Sequence, residues 1–158
     1  MKKTNAVRIL DRLKITYELI EYVVDESDLS AVHLAATAGV PIEKVFKTLV
    51  LEGDKTGHFV CIIQGGDEID LKKAALASSN KKVAMIPMKE LEPLTGYIRG
   101  GCSPLGMKKN FPVFIDTSAF DQTIIYISAG VRGMQIKLTP DDLVIACKAK
   151  KAEITQED

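Results

Sequence analysis

The chain has 158 residues, 46% of them apolar and 27% charged, which suits one globular domain with its own core and excludes a fibrous or disordered polypeptide. Lysine plus arginine total 21, as do aspartate plus glutamate, so the net charge is zero; a protein that grips nucleic acid chiefly through phosphates is usually basic overall, so any RNA contact must come from a local basic patch or be shared with a partner protein. The three cysteines, Cys61, Cys102 and Cys147, are far apart with no Cys-x-x-Cys pair, which argues for reduced thiols over a disulfide framework or a zinc site.

The start, Met1-Lys2-Lys3-Thr4-Asn5, leads into an amphipathic pattern without the apolar run of a secretory leader, and no stretch is apolar enough to span a bilayer. A free-standing cytoplasmic protein is expected. Thr4 or Asn5 caps a first helix whose apolar stripe is Ala6, Val7, Ile9, Leu10 and Leu13. Residues 17–24, rich in aromatic and branched side chains, read as a strand. Ser30 caps a short helix to Ala38, Gly39 supplies its C-terminal stop, and Pro41 opens another turn. Residues 46–51 and 59–63 are paired strands around the loop Glu52-Gly53-Asp54-Lys55-Thr56-Gly57.

Gly65-Gly66 breaks the chain, Asp70 caps a helix over 71–77, and 83–86 is a short strand. Pro87 and Pro93 bracket one helical turn, and 95–106 is a glycine-rich loop. Strands follow at 113–115, 124–128 and 134–138, the last two joined by a turn between Gly130 and Gly133. Thr139-Pro140-Asp141-Asp142 starts a last helix with a cap, a proline at the first position and acids on the positive end of the dipole. It runs to about Lys148, and a frayed charged tail is expected after it. Strands and short helices alternate irregularly, which predicts a single mixed α+β domain over residues 1–158 rather than a doubly wound parallel sheet. Six or seven strands this short are able to close into a small barrel.

Three places carry candidate chemistry. Lys47 shares one strand face with Leu49 and Leu51, while Phe46, Thr48 and Val50 share the other. An ammonium on an apolar face is a clamp for a phosphate, a ribose hydroxyl or a developing oxyanion; equally, a lysine at a strand end simply reaches water. In Gly96-Tyr97-Ile98-Arg99-Gly100-Gly101-Cys102-Ser103-Pro104-Leu105-Gly106, adjacent glycines let a ligand approach the backbone, whose N–H groups can converge on an anion. The same pattern also suits a tight structural turn, and its spacing matches neither an NTPase phosphate loop nor a dinucleotide fingerprint. Ser128-Ala129-Gly130-Val131-Arg132-Gly133 reads as a hairpin turn, with or without a role for its basic side chain.

Other residues carry less. His33 and His58 have no spaced carboxylates around them to suggest a triad. Cys102 is a nucleophile or a buried spectator, with no histidine near it in sequence. The pairs Lys72-Lys73, Lys81-Lys82 and Lys108-Lys109 suit a tRNA backbone or a solvated surface.

Taken together, four motifs resemble the YbaK family, also called the prolyl-tRNA synthetase-associated editing domain. They are Val45-Phe46-Lys47-Thr48-Leu49, Asp70-Leu71-Lys72-Lys73, the stretch from Thr95 through Gly100-Gly101-Cys102-Ser103-Pro104 to Gly106, and Tyr126-Ile127-Ser128 with Arg132-Gly133. The resemblance spans nearly the whole chain. It implies a six-stranded mixed β-barrel with surrounding helices, and deacylation of mischarged tRNA, most closely Cys-tRNA(Pro).

On that resemblance the family lysine falls on Lys47, and the Gly-x-x-x-Pro editing loop on Gly100 and Pro104, with Gly101 beside them as a second oxyanion donor. The pocket tyrosines fall on Tyr22 and Tyr97 and the late serine on Ser128; Ser103, Arg132 and Gln135 are expected to complete the substrate contacts. Two positions depart from the pattern. Gln135 stands where close relatives carry aspartate, and Ser30 where some carry phenylalanine.

In the cysteine-specific branch the substrate's own thiol is thought to attack its ester, so the enzyme supplies positioning and charge stabilisation. An alanyl or seryl ester would need an attacking water instead, held in part by the Gly100 carbonyl. A third reading is a non-catalytic module binding tRNA or a synthetase. The expected partners are mischarged tRNA and, transiently, prolyl-tRNA synthetase. No cofactor, metal, membrane or DNA is implied.

Overall fold

The computed structural model describes residues 3–157; Met1 and Lys2 of the charged start, and Asp158, lie outside the described residues. Local signals place most elements. Helix α1 (Asn5–Arg12) begins where the Thr4 hydroxyl accepts the Val7 N–H, and α2 (Ala31–Ala38) where Ser30 accepts from His33 and Gly39 closes it in the left-handed region at φ 72°. Asp70 caps α3 (Leu71–Ala77) through two N–H groups, and Thr139 caps α5 (Pro140–Cys147). The single turn expected between Pro87 and Pro93 is a 3-10 turn, Met88–Glu90, leading into α4 (Leu91–Thr95).

The mixed α+β class expected from the sequence is what the chain adopts. Strands β1 (Glu18–Glu21), β6 (Ile125–Ser128) and β7 (Met134–Leu138) form an antiparallel sheet in the order β1-β7-β6. The expected strand over 17–24 is thus shorter, although the Tyr22 N–H still reaches the Gly133 carbonyl at 2.9 Å. The second sheet has the order β4-β2-β3-β5-β8, where β8 is Lys150–Ala152. Here β2 (Phe46–Gly53) and β3 (Gly57–Gln64) form the expected hairpin, β4 (Val83–Met85) pairs antiparallel with β2, and β5 (Val113–Asp116) lies parallel to β3.

The two sheets meet at one parallel bridge, Val45 to Tyr126. Among the described residues, hydrogen bonding therefore traces two sheets of three and five strands, not one continuous six-stranded ring.

One expectation is corrected. The charged tail after α5 is not frayed: β8 (Lys150–Ala152) adds to β5 in parallel, and Ile154 is fully buried. Its N–H is held at 3.0 Å by the buried Asp116 carboxylate, and Lys73 donates to the Thr155 carbonyl at 3.0 Å.

The five-stranded sheet is covered on both faces, which is why β2 and β3 read as nearly unbroken apolar runs. Phe46, Val50 and Ile62 face a core shared with Val7 and Leu10 of α1 and with Ile125, Ile127 and Ile136 of the other sheet. Leu51, Phe59 and Ile63 face a second core with Ala74 of α3, Phe114 and Ile154. The Phe59 and Phe114 rings meet edge to face at 5.8 Å.

Candidate functional site

A cavity of about 620 Å³ opens where the two sheets part. That is the size of pocket that takes a small organic ligand. Strand β4 pairs with β2 only at Leu51, Glu52 and Gly53, and the Val45–Tyr126 bridge closes the other end. Between them, five consecutive residues of β2, 46–50, line the cavity. Successive side chains of a strand point to opposite faces, so a consecutive run means that the cavity meets β2 edge-on.

Three expected site residues join Gly100 on this wall. Lys47 reaches it from β2, and Ser128 and Gln135 come from directly paired positions of β6 and β7. Ser128 is oriented by accepting the Gly130 N–H at 3.1 Å. Gln135 is 3% exposed, and its side-chain oxygen has no partner. Gly100, at φ 83°, belongs equally to a shallow crevice lined by Tyr22, Asp25, Asp28 and His33, so Tyr22 adjoins the site from the side rather than lining the main cavity.

The rest of the glycine loop lies behind that surface. The Gly101 N–H donates to the Ile98 carbonyl at 2.9 Å, and the residue packs on the Val131–Arg132 backbone, so its expected place as an oxyanion donor is corrected to a loop-closing one. Tyr97 is buried, and its hydroxyl donates to the Leu105 carbonyl at 2.6 Å. Its ring fills the space beside Gly106 and Gly130, where a Cβ would collide with it. Ser103 is fully buried and accepts the Leu105 N–H at 3.3 Å, and Pro104 is buried beside it. The Arg132 guanidinium donates through Nε to the Arg99 carbonyl at 2.8 Å, bracing Gly100 from outside. Tyr97, Ser103, Pro104 and Arg132 therefore shape the loop and do not border the cavity.

Cys102 does border it, yet burial pushes its thiol up to about 12, so it stays protonated near neutrality. His58 sits 3.3 Å from Glu52 and does not border the cavity, and Lys73 is spent on the C-terminal segment. Sequence reasoning missed Gly65, Gly66 and Met88 as wall residues, and missed that the cavity runs along β2 itself. Among the described residues no group of three or more His, Cys, Asp and Glu is placed to hold a metal, and no helix is long and apolar enough to cross a membrane.

The fold is thus a mixed α+β domain in which a lysine and a glycine loop meet at an edge-on cavity. Residues 25–145 match the family model of the aminoacyl-tRNA editing domain, and the chain belongs to that family. It is 47% identical over 157 residues to an Enterococcus faecalis (strain ATCC 700802 / V583) protein, EbsC, described as a candidate Cys-tRNA(Pro)/Cys-tRNA(Cys) deacylase; the match covers 99% of this chain and 96% of that protein. The fold is similar to a solved candidate trans-editing enzyme for prolyl-tRNA synthetase, with TM-score 0.82, 22% identity and coverage of 99% and 100%. It is also similar to a solved hypothetical protein, APE2540, with TM-score 0.88, 20% identity and coverage of 97% and 100%.

Proposed function

We propose that this chain is an aminoacyl-tRNA deacylase that acts as one editing unit and clears cysteine from mischarged tRNA, Cys-tRNA(Pro) first among its substrates. The observation that carries the reading is the make-up of the cavity. It brings Lys47 and Gly100 together, while its one thiol, Cys102, is held protonated by burial. A site furnished to hold an ester and stabilise charge, but without an activated side-chain nucleophile, suits a substrate that carries its own.

The substrate thiol loses its proton, and its sulfur bonds to the ester carbonyl carbon. The bond from that carbon to the ribose oxygen breaks, and the ribose oxygen takes up a proton. Cysteine leaves as a cyclic thiolactone, and water opens the ring afterwards. Lys47 orients the aminoacyl group or the terminal ribose, and Gly100 contributes its backbone N–H to the developing oxyanion.

The parted sheets and the bridge at Val45 also suit a partly open form of the six-stranded barrel implied by the family resemblance. A zero net charge fits modest affinity for tRNA alone, with prolyl-tRNA synthetase supplying the rest in a transient cytoplasmic complex. Side-by-side deacylation of Cys-tRNA(Pro), Ala-tRNA(Pro) and Ser-tRNA(Pro) tests the reading. Rapid loss of cysteine alone is expected. Release of alanine or serine would move the mechanism to an attacking water, and inactivity on all three, with and without the synthetase, would leave a binding module.

A further inference from the structure

The direction of the backbone groups on β2 is fixed by two hydrogen bonds. The Val45 carbonyl accepts the Gly65 N–H at 2.7 Å, on the side of β3. The Val50 carbonyl accepts the Ile86 N–H at 3.2 Å, on the opposite side, next to β4. In an extended strand the N–H and C=O of one residue point the same way and alternate from residue to residue. Odd-numbered positions of β2 thus serve β3, and even-numbered positions serve the other edge. Pairing with β4 covers that edge at positions 51–53, and the Tyr126 bridge covers it at Val45. Thr48 lies between, on the cavity wall, with its N–H and C=O turned toward the cavity. Its side-chain hydroxyl is buried with no partner. An uncovered strand edge at the wall of a cavity is a template for an extended ligand.

We propose that Thr48 is the docking position for the aminoacyl end of the substrate, which pairs with β2 as a one-residue added strand. Resting on the deacylase reading, this assigns the substrate's α-amino group as donor to the Thr48 carbonyl, and the Thr48 N–H as donor to the ester carbonyl oxygen. The two groups thereby exchange both bonds, as a hydrogen-bonded antiparallel pair does. The Thr48 N–H supplies an oxyanion contact in the place left by Gly101. Lys47 projects to the other face of the strand, so its ammonium need not crowd the substrate amine. Such pairing uses only groups common to all α-amino acids. Selection among them falls to the side chains opposite, Gln135 and Ser128.

Proline is compatible with a strand where its missing N–H faces away from the ladder. Thr48→Pro is therefore expected to fold, and an ester bond in place of the 48 amide, introduced with the α-hydroxy analogue of threonine, removes the same N–H with the side chain kept. Binding is read by calorimetry with cysteinyl-adenosine joined through a non-hydrolysable amide, and with its des-amino counterpart. The wild type is expected to bind the amino compound at least tenfold more tightly than the des-amino one. Either change at Thr48 should weaken the amino compound by about tenfold. An ester at Leu49, whose N–H serves β3, should lower Tm and leave the affinity alone. Wild-type affinity in the folded ester variant at Thr48, equal affinity for the two compounds, or no binding of the amino compound by the wild type would overturn the proposal. A wild type that binds as expected but releases no amino acid from Cys-tRNA(Pro) would overturn the deacylase reading and leave the docking position standing.

Discussion

At the scale of single residues, the site holds polar groups that folding leaves unserved. Of the described residues on the cavity wall, Thr48 and Gln135 each bury a side-chain oxygen without a hydrogen-bond partner. An orphaned buried polar group costs about 1–3 kcal/mol, which is retained where a ligand repays it. Gln135→Met, which keeps the volume and removes the amide, is expected to stabilise the free protein by about 1 kcal/mol, or roughly 2–4 °C in Tm. It should lower deacylation at the same time. A calorimetric melt alongside a single-turnover assay checks both, and a lower Tm would mean that the amide is structural. Lys47→Ala is expected to slow deacylation of Cys-tRNA(Pro) by at least about tenfold, equivalent to about 1.4 kcal/mol of transition-state stabilisation. Unchanged single-turnover rates in that variant would remove Lys47 from the mechanism.

At the scale of elements, the glycine loop is built from behind. Tyr97 ties its two ends together through Leu105, and Arg132 reaches across from the β6–β7 turn to the Arg99 carbonyl. Tyr97→Phe leaves the Leu105 carbonyl buried and unserved, so a loss of about 1–3 kcal/mol in urea denaturation is expected, together with reduced kcat as Gly100 loses its support. A variant that denatures like the wild type would contradict this account of the loop.

The same loop shows how far a sequence can be read. Thr4, Ser30, Asp70 and Thr139 announce their helices because a cap acts within three residues of itself. Lys47, Gly100, Ser128 and Gln135 reach one wall. Tyr97 and Ser103 carry the same signature but turn inward, and Arg132 braces the loop from outside, because a motif preserves a loop's scaffold and its working surface alike. The strand Lys150–Ala152 was illegible for another reason: two exposed lysines look like a solvated tail, and the parallel partner that orders them lies some 35 residues away.

At the scale of the whole molecule, two cores share one sheet, and a change in either is felt across it. Ile154 is fully buried against the second core, and Ile154→Ala is expected to cost about 2–5 kcal/mol, read as a shift in urea midpoint. A loss near zero would mean that β8 rests on the sheet without holding it. Burial also raises Cys61, Cys102 and Cys147 from 9.0 to about 12. The folded chain keeps these protons while the unfolded chain gives them up, so their contribution is intact below about pH 9 and is lost as the pH rises toward 12. Each thiol subtracts up to about 1.4 kcal/mol of stability per pH unit in that window. Urea midpoints that fall from pH 9 to 11, and fall less steeply in Cys61→Ala, are the expected result.

The parallel pairing of β8 with β5 bears on how the protein is made. A nascent chain leaves the ribosome N-terminus first, and a parallel partner cannot be supplied by a neighbouring hairpin. Phe59 and Phe114 therefore emerge well before Ile154, the residue that seals their side of the sheet. Through that interval the growing polypeptide displays an apolar surface and an open strand that only the last residues of the chain cover.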